Sequence, residues 1–207
     1  MIRTRPGPER FRLGFSEAVQ SAFGFLQQDY GFRCVEAGPT FVRYESDLAF
    51  VNLYHGRASY ELGFEVGRRP DVRGQPESHY TMAEILQLAA AEAEAGNSCF
   101  QASTREGVQQ LVPRLAALVR KYAPPALRGD PSTFDRLREL QSANSQRYIN
   151  ESRLARVREQ AEEAWQKKWY PLVVRLYESI PQDLTRVEAR RLEYARKHAG
   201  PDVDPPG

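Results

Sequence analysis

The stretch FVRYESDLAFVNLYHGRASYELGFEVG, residues 41–67, decides the fold class. Its last run alternates, with Tyr60, Leu62, Phe64 and Val66 on one side and Glu61, Gly63 and Glu65 on the other. A period of two is that of a β-strand with one buried and one solvated face. Upstream, Phe32 to Val35, Phe41 to Glu45 and Leu48 to His55 are short runs rich in aromatic and β-branched residues. Gly38-Pro39, Ser46-Asp47 and Gly56 separate them, and these residue types favour turns. The reading is an antiparallel meander.

Outward from the meander the period changes to that of a helix. Phe15, Val19, Ala22, Phe23, Leu26 and Tyr30 recur at three- and four-residue steps, which predicts one helix over 15–30 that covers the apolar face and is capped by Ser16. After the polar stretch RRPDVRGQPES, residues 68–78, helix signals take over. Thr81 with Glu84, Ser103 with Glu106 and Thr185 with Glu188 have the spacing of a capping box. The second of these predicts a helix from about Thr104 to Tyr122, with Val108, Leu111, Leu115, Leu118 and Val119 as its core stripe. Pro113 kinks that helix or marks a later start. From Pro131 a long, exposed helix is expected, with sparse apolar positions at Tyr148, Ile149, Leu154 and Val157. A break near Trp169 to Pro171, a helix stopped by Pro181, and a last helix closed by Gly200-Pro201 complete the pattern.

The expected architecture is α+β: residues 1–78 as helix plus meander, 79–199 as a helical region, and 200–207 as a disordered tail. Hydrophobic residues at 41% in a chain of 207 exclude wholesale disorder, and about 70% of the unfolded surface is buried at this size. Twenty-nine Lys and Arg against 27 Asp and Glu leave a net charge of +2, too balanced for a dedicated nucleic-acid or polybasic membrane binder. The start MIRTRPGPE has no signal-peptide pattern, and no run reaches the ~20 apolar residues that span a bilayer. Cys34 and Cys99 cannot form a disulfide framework and suit a reducing cytoplasm.

Catalytic constellations are not legible. His55, His79 and His198 are dispersed, and neither cysteine has a zinc-site neighbour, so no metal is expected. Cys34 reads as a packed strand thiol. Glu61 and Glu65 lie roughly 13 Å apart along one strand, beyond the separation of a glycosidase pair, and read as partners of Arg43 or Arg57. Gly63 and Gly67 lack the pattern of a phosphate loop, so no cofactor is expected. The arginines and lysines of 153–168 alternate with glutamates and read as a solvated helix face.

Two stretches carry a resemblance. Ala161 to Ile180, AEEAWQKKWYPLVVRLYESI, resembles one tetratricopeptide-type helical hairpin, and an ordinary antiparallel helix pair accounts for the same residues. Phe25 to Gly67, with FLQQDYGF and the meander, resembles small bacterial immunity-like proteins built as a helix followed by a β-meander. That resemblance implies the fold and a loose association with immunity; with the missing catalytic constellation and the long exposed helix, the expectation is a non-enzymatic, cytoplasmic protein-binding role, by occlusion of a partner protein. The candidate contact residues are Tyr44, Glu45, Tyr54, His55, Arg57 and Glu61 around the hairpin tip, with Trp165 and Trp169 on the C-terminal helices. Tyr and Arg are favoured at contact surfaces because they bury area while keeping a polar handle. The alternative is an assembly component that forms a homo-oligomer through Trp165, Trp169 and Tyr177. A third reading, an enzyme on the polar sheet face, requires a concave pocket around Glu61, His55 and Arg43.

Overall fold

The computed structural model describes residues 8–56, 58–69, 78–95 and 100–200. The chain is an α+β protein that divides into two compact units, Met1–Gln141 and Ser142–Gly207. The division expected after residue 78 falls inside the first unit, and the tail expected at 200–207 lies, beyond Gly200, outside the described residues.

The first unit opens with α1 (Pro8–Arg12), α2 (Phe15–Ala22) and α3 (Phe25–Tyr30). The single helix expected over 15–30 is therefore two, because Gly24 interrupts it: glycine costs about 1 kcal/mol against alanine inside a helix. Ser16 is no cap. Gly14, in the left-handed region at φ 66°, precedes α2, and the Ser16 hydroxyl instead accepts from Gln20 Nε2 at 3.1 Å.

The sheet follows as β1 (Arg33–Gly38), β2 (Phe41–Glu45), β3 (Ala49–His55), β4 (Leu62–Arg68) and β5 (Tyr80–Thr81), antiparallel and in sequence order. The fifth strand is too short to show a period, so the sequence pattern passes over it. Register places Tyr44, Val51, Val66 and Tyr80 in one row across the sheet, and Val42, Leu53 and Phe64 in the next. All seven are buried.

The face expected to be wet is largely covered. Tyr54 lies over Gly63, where a Cβ would come within 1.9 Å of the ring, and Phe50 lies over Gly67, where it would come within 2.3 Å. The two glycines let the rings lie across the neighbouring strand, so Phe50 is fully buried although it points away from the main core. Cys34 corrects the opposite way. The packed strand thiol expected there is exposed, because β1 is an edge strand with a bulge between Cys34 and Glu36.

Helices α4 (Met82–Leu88), α5 (Glu92–Ala95), α6 (Arg105–Tyr122) and α7 (Pro124–Leu127) complete the first unit with the start of α8 (Pro131–Gln166). Ile85, Val112, Val119, Leu127, Phe134 and Leu137 all join the core that the sheet and α2 share. Change of pattern at residue 78 was thus a change of element, with one core continuing through it. The Thr81–Glu84 capping box forms, whereas α6 is capped by Thr104, whose hydroxyl accepts from Gly107 N at 3.1 Å, and not by Ser103. Pro113 sits inside α6 without ending it.

The second unit is made of the remainder of α8, then α9 (Tyr170–Glu178) and α10 (Arg186–His198). Its core is small: Ala161, Ala164, Val173, Tyr177, Ile180, Leu192 and Ala195. Lys168, at φ 56°, turns the chain between α8 and α9, and Trp169 N donates to Ala164 O at 2.8 Å. The Thr185–Glu188 capping box forms, and Glu188 also receives Arg158 Nε at 2.9 Å.

Candidate functional site

Alternation along the strands separates the residues expected to cluster at the hairpin tip. Tyr44 and His55 fall on the core face, and both are buried. Glu45, Tyr54 and Glu61 fall on the outer face, and Arg57 lies outside the described residues. The pocket imagined around Glu61, His55 and Arg43 is therefore not assembled: His55 shares its face with Leu53 and Val51, whereas Arg43 is paired with Asn52 on the other side.

Across the outer face the structure builds a polar row instead. Arg43 Nε donates to Glu45 Oε1 at 2.7 Å and its Nη1 donates to Asn52 Oδ1 at 3.2 Å. Asn52 Nδ2 donates to Glu65 Oε2 at 3.3 Å, and His79 Nε2 lies 3.8 Å from Glu65 Oε1. The pairing expected between Glu65 and Arg43 thus runs through Asn52, which register sets between them. Burial, and then the charges of Glu65 and Glu61, push the Tyr54 hydroxyl up from its usual range. The row knits the strands together, with Arg43 also stacked on Phe50 at 4.4 Å.

On the core face His55 is held in an aromatic cradle. Phe15 from α2 stacks on it at 5.5 Å, Tyr60 meets it edge-on at 5.9 Å, and Nε2–H donates to Ala102 O at 2.8 Å. Arg10 of α1, 4% exposed, lays its guanidinium 3.9 Å over the Tyr60 ring and donates from Nη2 to Gly56 O at 2.8 Å. Burial pulls the His55 pKa down and the Arg10 charge adds to this, against the opposing backbone of Ala102 and Tyr60. Tyr44 is set apart from this group. Burial, reinforced by the Cys34 thiol opposite and opposed by Gln27, pushes its hydroxyl up to about 12.

The second unit carries an aromatic corner. Trp165, Tyr170 and Tyr194 meet edge-to-face with centroids 5.5 to 5.8 Å apart, within the range favoured by aromatic pairs. His198 stacks on Tyr194 at 3.9 Å, and Arg191 lies 5.2 Å over Trp165 while pairing with Glu162. Trp165 and Trp169 are both half-buried, but Tyr177, expected as a contact residue, is buried in the small core. Tyr194 and His198 are not among the expected contact residues, although their four-residue spacing places them on one face of α10.

Seven large hydrophobic residues are exposed among the described residues, and four of them, Tyr148, Ile149, Val187 and Tyr194, lie in the smaller unit. Among the described residues no three His, Cys, Asp or Glu side chains gather as a metal site. Nor is any helix there long and apolar enough to cross a membrane. A depression of about 510 Å³ between α2 and α6, lined by Glu17, Ser21, Arg105 and Gln109 among others, contains none of the expected contact residues. The chain matches no family model, no curated protein and no solved structure.

Proposed function

We propose that the chain is a non-enzymatic protein-binding module, of the adaptor or immunity kind, that acts by covering a surface of a partner protein. The observation that carries this reading is the exposed apolar set of the second unit: Tyr148 at 72%, Ile149 at 59%, Val187 at 61% and Tyr194 at 44%. A small helical core has little to gain from leaving such side chains in water, whereas a partner that buries one gains roughly 1.5 to 3 kcal/mol per large residue. Tyr194 is pre-positioned by Trp165, Tyr170 and His198, so less conformational freedom is lost on binding. Trp165 and Trp169 are half-buried in the same unit, and Trp165 meets Tyr194 edge-on. The proposed place of action is the cytoplasm, where an exposed thiol such as Cys34 stays reduced.

Affinity capture from the native host tests the reading. The intact chain recovers a stoichiometric partner, and the Tyr194→Glu chain, with an unchanged melting curve, loses it. Recovery of no stoichiometric partner under several conditions, or equal recovery by both chains, overturns it. The assembly reading draws on Tyr148 and Ile149, neighbours on the exposed stretch of α8. Light scattering decides it: a concentration-independent monomer removes it, and a defined oligomer lost on Ile149→Glu supports it.

A further inference from the structure

Two depressions adjoin along α2, α3 and α6. The first, of about 510 Å³, has Gly14, Glu17 and Ser21 on one wall and Arg105, Gln109 and Pro113 on the other. The second, of about 240 Å³, shares Ala22 and Pro113 with it and continues to Phe25, Ala117 and Arg120. The two walls run in the same direction. At one end Arg105 Nε lies 3.7 Å from where a Cβ on Gly14 would sit, and at the other the Arg120 guanidinium lies 4.5 Å over the Phe25 ring. Arg105 and Arg120 stand 15 positions apart in α6, so the trough is roughly 22 Å long at about 1.5 Å per residue.

Small side chains make the trough. Val19, Val108 and Val112 turn into the core that α2 and α6 share, while Ala18, Ala22 and Ala117 line the outer side. With one methyl each they let a third helix approach closely, because interaxial distance follows the side chains at the contact. Pro113 adds a polar feature. It has no N–H, so the Gln109 carbonyl one turn back cannot receive its usual helix bond from it, and both residues line the trough. Charge marks the two ends. Arg105 and Arg120 are exposed, and among the described residues neither is paired with a carboxylate. Glu17, on the wall facing Arg105, is the acidic residue among those described on the walls.

We infer that the α2–α6 trough is a docking site for an amphipathic helix of a partner protein, with an acidic residue facing each of Arg105 and Arg120 and a basic residue facing Glu17. Charge complementarity selects this occupant: a guanidinium stands at each end of an alanine-lined floor, and the single facing carboxylate lies near one end. The length sets the spacing. Four helical turns bring residues about 14 positions apart onto one face, which spans the distance between the two arginines. The trough lies wholly in the first unit, so it is separate from the Tyr194 surface and stands whether or not that surface binds a partner.

The test is fluorescence anisotropy of the full chain with a labelled amphipathic peptide of about 18 residues. It carries a leucine and alanine stripe, glutamates about 14 positions apart and a lysine one turn inside one of them. A second peptide has lysines in place of the glutamates. The glutamate peptide is expected to bind roughly tenfold tighter than the lysine peptide. Arg105→Glu combined with Arg120→Glu, both at exposed positions, is expected to reverse that preference with an unchanged melting curve. Ala117→Phe, which fills the trough from an exposed position and leaves every charge in place, is expected to weaken the glutamate peptide about tenfold. Tyr194→Glu should bind it as the intact chain does, which separates this site from the other surface. No preference between the peptides, a preference that survives the double reversal, full binding by Ala117→Phe, or loss of binding in Tyr194→Glu overturns the assignment.

Discussion

The two units are built from the same helix-capping chemistry but bury their apolar residues very differently. The first lays a five-stranded sheet under helices and covers even the outer sheet face with Phe50 and Tyr54, while the second closes a core of seven residues and leaves Tyr148, Ile149, Val187 and Tyr194 in solvent. The sheet brings distant segments into one core, so nearly every large side chain finds neighbours there. Three helices can share only narrow stripes, and side chains off the stripe remain exposed. The difference leaves four of the seven exposed large apolar side chains among the described residues in the smaller, helical unit.

The contrast can be broken most forcefully at the core of the first unit. Phe64→Ala, at a ring only 1% exposed, is expected to cost about 3 to 5 kcal/mol. Both tryptophans, Trp165 and Trp169, lie in the second unit. Their fluorescence transition in urea should therefore stay near its original midpoint while the circular-dichroism transition moves to lower urea. A single transition that moves as one in both signals would show that the two units unfold together and that the contrast has no energetic counterpart.

Next in size, Gly67→Ala forces a methyl against the Phe50 ring and the backbone carbonyl of Ser78, both 2.3 Å from where its Cβ would sit. A loss of about 1 to 3 kcal/mol is expected by urea denaturation. A neutral result would mean that the outer face is loosely covered after all. Thr81→Ala and Thr185→Ala remove matching capping boxes, one in each unit, and each should cost about 1 kcal/mol. Equal losses would confirm that the units differ in packing and not in local helix chemistry. Tyr148→Ser should change stability by less than about 0.5 kcal/mol, because its ring touches little in the folded chain. A larger loss would remove it from the proposed contact surface.

Much of the fold was legible because periodicity is a local property. The alternation through Leu62, Phe64 and Val66, the two Thr–Glu boxes, and the break before Pro171 each lie within a few residues of their cause. The split of α2 from α3 at Gly24 was legible in principle, since a glycine stands in the middle of the predicted helix. β5 was not, because two residues carry no period and Tyr80 becomes a strand only through Val66 beside it.

The candidate site was less legible. Tyr54 and His55 are adjacent in sequence and were read together, yet a strand sends neighbours to opposite faces, one over Gly63 and the other into the cradle of Phe15 and Tyr60. Arg10 had no signal at all. It stands in a proline- and glycine-bearing start without a period, and its partner Gly56 is 46 positions away. Tyr194 and His198 showed the right spacing, but only the packing of α10 against Trp165 and Tyr170 makes them part of a surface.

By itself, the amino-acid order determined the α+β class, the meander and the limits of the longer helices, because backbone preference and amphipathic period act between near neighbours. Tertiary structure alone decided which side chains meet. It placed the unit boundary at Gln141 rather than at the end of the strands, turned His55 inward beside Arg10, and left the second unit's aromatics uncovered. Those outcomes depend on which distant segments compete for the same apolar neighbours, and no local pattern encodes that competition.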